Sequence, residues 1–84
     1  MAFRYRESVL VELARHGVQP TNDTPPEFVR DFINDLYRYE IRVLRDKLMS
    51  GKFPKSDYAR RVAELRARYP VLGLPLEFWA APDE

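Results

Sequence analysis

Two side chains in this sequence have the chemistry to do more than pack: Glu40, an acid set among apolar residues, and His16, the single histidine. On a helical wheel Glu40 falls between Val29 and Ile33 and close to Leu36 and Leu44, inside the apolar arc of a long central helix. A carboxylate buried there must lose its charge or find a partner, because an unpaired buried charge is very costly. As chemistry it is a general acid or base, or a ligand for a hard metal ion. As structure it pairs with an arginine or accepts a tyrosine hydroxyl, tying two helices together. Positions three and four residues away hold Leu36, Tyr37, Val43 and Leu44, not the second carboxylate or histidine that a helical metal site needs. His16 lies where the first helix ends, so as a cation it complements the negative end of the helix dipole. A nucleophile beside it would have to be Ser8, Ser50 or Ser56, and none stands in a recognisable motif. The expectation is a protein without catalytic residues, cofactor or metal.

Recognition is the other chemistry on offer. Arg38, Arg42 and Arg45 form a stripe on the polar side of the central helix, and Lys52 and Lys55 sit in the turn that follows. From Arg38 to Arg68 ten basic residues stand against four acidic ones, a net of +6 in a chain whose total is +1. This basic surface can contact phosphates while tyrosines stack on bases, or it can steer an acidic protein partner. Against nucleic acid stand an isoelectric point of about 8.1 and the lack of a helix-turn-helix, zinc-finger or RNA-recognition signature. The spacings Arg60-Glu64-Arg68 and Arg42-Asp46 also suit ordinary pairing within a helix. Phe78-Trp79 is a second candidate contact. Either the two rings close a small core, or they anchor in a partner's groove, as aromatic residues do at interface hot spots.

These residues must be positioned by a chain of 84 residues, enough for one domain spanning 1–84 with a modest core. Hydrophobic content of 45% and charged content of 32% are those of a folded globular protein. No cysteine is present, so there is no disulfide framework and no thiolate. The N-terminal residues lack the apolar stretch of a signal peptide, and no apolar run is long enough to span a membrane. A cytoplasmic location is the expectation.

Periodicity predicts an all-α chain of three helices, at about 5–16, 25–50 and 55–69. Val9, Leu10, Leu13 and Ala14 give the first helix one apolar face, and Gly17 with Pro20 ends it. Thr24-Pro25-Pro26-Glu27 reads as a capping box with prolines in the first turn, opening a second helix that Gly51 closes. Its apolar residues, from Phe28, Tyr39 and Phe32 at one edge to Tyr37, Leu48 and Ile41 at the other, cover roughly 220° of the wheel. One neighbour needs about half of that, so the helix should meet several. At ~1.5 Å per residue it would be ~39 Å long, against a radius of gyration of ~12 Å for a compact chain of this length. It should protrude, bend, or be covered by a second copy in a homodimer, and whatever the flanking helices leave bare is the surface to look for. Tyr58, Val62, Leu65 and Tyr69 place the third helix antiparallel to the second in a hairpin. The apolar tail from Val71 to Trp79, broken by Gly73 and Pro75, is expected to lie extended across a helical face.

Residues 41–65 resemble the helical hairpin of the short C-terminal domain family called SHOCT. Leu44, Leu48, Gly51, Phe53, Asp57, Tyr58, Arg61 and Leu65 stand where that family shows leucines, a glycine turn, an apolar residue, an acid, an aromatic, a basic residue and a leucine. Pro54 replaces the hydroxyl residue of that turn, and a long tail follows where the family usually ends. The resemblance implies an interaction or oligomerisation module and brings no catalytic residues. The reading as a whole is a non-enzymatic protein–protein interaction module, acting with itself or in a larger assembly; the alternative is a nucleic-acid-associated protein using the basic hairpin 38–68.

Overall fold

The computed structural model describes residues 2–82. It is mostly helical: strand β1 (Phe3–Tyr5), helix α1 (Glu7–Arg15), helix α2 (Pro26–Met49), helix α3 (Tyr58–Arg66) and strand β2 (Ala80–Pro82), with short 3₁₀ turns before and after α3. Both predicted glycine stops form. Gly17 and Gly51 have φ of 76° and 72°, conformations that cost glycine little and other residues more. Val18 N–H donates to Leu13 O at 3.0 Å, and Lys52 N–H to Lys47 O at 2.9 Å. With the inner bonds Gly17 N–H to Ala14 O and Gly51 N–H to Leu48 O, each closes a Schellman motif.

The start of α2 differs from the expected capping box. A proline forces the residue before it out of the α region, so Pro25 is held extended by Pro26 and becomes the N-cap, with ψ of 135°. Thr24 is thereby left outside the helix. Its hydroxyl accepts Thr21 N–H at 3.1 Å, and its carbonyl accepts the Tyr5 hydroxyl at 2.7 Å.

The two chain ends are where the all-α expectation is corrected. Tyr5 belongs to a strand, and helix α1 begins two residues later. Strands β1 and β2 pair antiparallel in the register Phe3 with Pro82, Arg4 with Ala81 and Tyr5 with Ala80, and Arg6 N–H donates to Trp79 O at 3.0 Å. Strand geometry puts Phe3 and Tyr5 on the same face, from which Tyr5 enters the core. The tail is likewise not extended throughout. Two 3₁₀ turns, Pro70–Gly73 and Leu76–Phe78, fold it back before it becomes β2. Proline fits the start of a helical turn because its missing N–H removes no bond there. The third helix also ends earlier than expected, at Arg66 rather than Tyr69, and Tyr69 takes a non-helical ψ of 50° just ahead of Pro70.

One core results, at one end of a long molecule. Tyr5, Val9, Leu13, Val29, Ile33, Leu65, Tyr69, Val71 and Trp79 are buried together. Of α2, only Pro26, Val29 and Ile33 are fully buried, all in its first third. The rest of α2 runs out alongside α3 as a two-helix arm, near whose tip Phe53 is buried under the Arg61 guanidinium, 4.3 Å from its ring centre. The radius of gyration is 15.5 Å and the extents are 53 × 17 × 15 Å, so of the expected outcomes the structure shows protrusion. Among the described residues no helix is long and apolar enough to cross a membrane.

Candidate interaction surface

Glu40 lies halfway along α2, facing the end of α3, and accepts a hydrogen bond from the Tyr69 hydroxyl. Of the roles open to Glu40, the structure shows the tyrosine-bonded tie between α2 and the chain just past α3. Tyr69 is only 3% exposed. Burial, then the hydrogen bond to Glu40 and that residue's charge, push its phenol well above the usual tyrosine range, with Arg68 pulling weakly the other way.

The same ring is held from two other sides. His16 stacks on it at 4.2 Å between ring centres with 11° between planes. Tyr37 meets it edge-on at 5.2 Å. His16 Nε2–H donates to the carbonyl of Arg68 at 2.8 Å, since a carbonyl only accepts. Thus α1, α2 and the end of α3 meet at Tyr69, where the chain turns from arm to tail. The cleft beside this node, lined by Arg15, His16, Glu40, Ala67 and Arg68, opens to solvent. Among the described residues no group of three or more His, Asp or Glu side chains is placed to hold a metal ion.

Phe78 and Trp79, adjacent in sequence, separate in space. Trp79 is 0% exposed and its indole N–H donates to Leu74 O at 3.0 Å, so it is a core residue with its one donor satisfied. Phe78 is 41% exposed, with the Arg6 guanidinium 5.3 Å from its ring centre. Only Phe78 presents a surface to anything outside.

Arg38, Arg42, Arg45, Lys52 and Lys55 are all exposed, and none forms an ion pair with a described residue. The expected Arg42 to Asp46 pair is therefore not made. In α3, Arg60 does bond Glu64 at 2.8 Å.

The most conspicuous surface was not among the residues singled out from sequence. Phe28, Phe32 and Tyr39 are 68%, 56% and 60% exposed. Successive offsets of four and seven residues put the three rings on one line along α2, flanked by half-buried Leu36 and Val43. Their sequence signal was the width of the apolar arc. All three sit at one edge of it, beyond the face that α1, α3 and the tail cover.

Compared with known proteins, the chain matches no family model, no curated protein and no solved structure.

Proposed function

We propose that this protein is a non-enzymatic protein–protein interaction module whose contact surface is the aromatic seam Phe28, Phe32 and Tyr39 on α2. The observation that carries the reading is the contrast within one helix. Val29 and Ile33 are 5% and 0% exposed while their neighbours Phe28 and Phe32 stay largely in water. Three rings burying ~150–250 Å² each when fully covered leave roughly 300–400 Å² of aromatic surface bare, the size at which an exposed patch is often functional. The resemblance of residues 41–65 to an interaction hairpin points the same way.

The test is recovery of the tagged protein from its native cell extract, with and without nuclease, beside a Phe32→Asp variant. Capture of a defined protein that survives nuclease and is lost in the variant supports the reading. A second reading, binding of nucleic acid by the arginine stripe, is favoured by the five unpaired basic side chains. It predicts nuclease-sensitive recovery and salt-sensitive binding.

A further inference from the structure

The charges beside the aromatic seam are sorted along the helix. Glu27, Asp31 and Asp35 follow one another at steps of four residues on one flank of the seam in the first half of α2, and Arg38, Arg42 and Arg45 continue that flank in the second half. All six are exposed, and none forms an ion pair with a described residue. Within the monomer the i,i+4 spacings Glu27–Asp31, Asp31–Asp35 and Arg38–Arg42 set like charges together, where they repel, against the opposite-charge spacings Asp35–Arg38 and Arg42–Asp46, neither of which forms an ion pair.

From this we infer that the partner of the seam is a second copy of the chain, packed antiparallel along α2. The inference rests on the interaction-module reading and names its occupant. A two-fold axis perpendicular to the helices, passing near Leu36, brings the same flank of each helix together with its direction reversed. Asp31 and Asp35 then lie within reach of the partner's Arg42 and the partner's Arg38, and Glu27 within reach of the partner's Arg45. In the same register Phe28 meets the partner's Val43, and Phe32 meets the partner's Tyr39. A parallel pair would instead set this charged flank against the partner's opposite flank, where Leu36 and Val43 lie, and leave the six charges without partners. The aromatic seam alone falls short of the ~800 Å² per partner of a standard interface. Pairing over the ~36 Å of α2 adds the aliphatic stems of the flanking arginines. Among the described residues Phe28, Phe32 and Tyr39 stay more than half exposed, with Gly17, Val18 and Thr24 bordering the seam at its Phe28 end. On the line of the seam itself, Asp46 is left without an opposite, near the partner's Glu27.

Sedimentation equilibrium of the full chain with two charge-swapped variants tests the inference. One carries Arg38→Glu with Arg42→Glu; the other carries Asp31→Lys with Asp35→Lys. The wild-type chain should dimerise in the micromolar range, each variant alone should dimerise at least tenfold more weakly, and their equimolar mixture should recover a dimer. Asp46→Lys should tighten the wild-type dimer. Because the chain has no cysteine, direction is read by oxidative cross-linking. Asp31→Cys mixed with Arg42→Cys should yield the mixed disulfide dimer, and predominant linkage of Asp31→Cys to itself would overturn the antiparallel register. A wild-type chain that stays monomeric to about 100 µM overturns self-pairing but leaves the module reading intact if extract capture still depends on Phe32. If Phe32→Asp alters neither self-association nor capture, both fail.

Discussion

The two sides of α2 are built from the same kinds of residue and meet opposite fates. On the inner side Val29 and Ile33 are enclosed by residues from α1, the end of α3 and the folded-back tail; on the outer side Phe28, Phe32 and Tyr39 face water. Hydrophobic burial scales with area removed from water, so the inner residues stabilise the monomer and the outer ones contribute little until something covers them. Apolarity alone therefore does not separate core from interface in this chain. What separates them is whether the chain's own short segments can reach, and α1 and α3, of nine residues each, are too short to wrap a helix of 24.

The largest effect is expected where the inner side is closed from below. Trp79→Ala removes a fully buried indole and its hydrogen bond to Leu74, and should cost about 3–5 kcal/mol, enough to unfold much of a small domain; urea denaturation followed by far-ultraviolet circular dichroism measures it. Neighbouring positions on α2 sharpen the contrast. Ile33→Ala should lower stability by about 2–4 kcal/mol, whereas Phe32→Ala should stay within about 0.5 kcal/mol for the monomer. Equal costs at the two positions would erase the distinction between the faces.

The Tyr69 node lies on the border between the sides and supplies a pH test. Its phenol, like that of Tyr5, is held above the ordinary value of 10.0, for Tyr5 by burial first and then by the charge of Glu27. A proton held more tightly in the folded state contributes stability that is complete below the unfolded pKa. That contribution is lost as pH rises from about 10, where the unfolded chain ionises first. Denaturation midpoints should therefore fall above pH ~10, and Tyr69→Phe should flatten the fall, leaving the part due to Tyr5. At neutral pH the same substitution should cost about 1 kcal/mol, since Glu40 is only half buried and water can replace its lost donor. The smallest effect belongs to the solvated arm. Arg60→Ala removes an exposed pair with Glu64 and should change stability by only about 0.3–0.5 kcal/mol.

How much was legible from sequence varies with how local the cause is. The glycine stops at Gly17 and Gly51 depend on a residue that tolerates positive φ, and both appear where the sequence places them. The helix boundary lies one residue past Thr24, at Pro25, because a capping box and a proline pair compete and the backbone restriction imposed by Pro26 overrides the side-chain bond. Glu40 was legible as an acid in an apolar arc that needs a partner, but not which of several arginines or tyrosines supplies it. The strands at Phe3–Tyr5 and Ala80–Pro82 were missed. Three residues are too few to show a periodicity, and their pairing joins opposite ends of the chain.

By itself the sequence determined the long central helix, its two glycine-terminated boundaries and an apolar arc too wide for one neighbour, because turn chemistry and helical periodicity act over a few residues. Only the tertiary structure decided that Trp79 is core while Phe78 faces out, that Tyr69 is the donor to Glu40, and that Phe28, Phe32 and Tyr39 are the part of the arc left bare. Those outcomes depend on where the tail crosses the helices and on how far short helices reach along a longer one, distances in space that spacing along the chain does not encode.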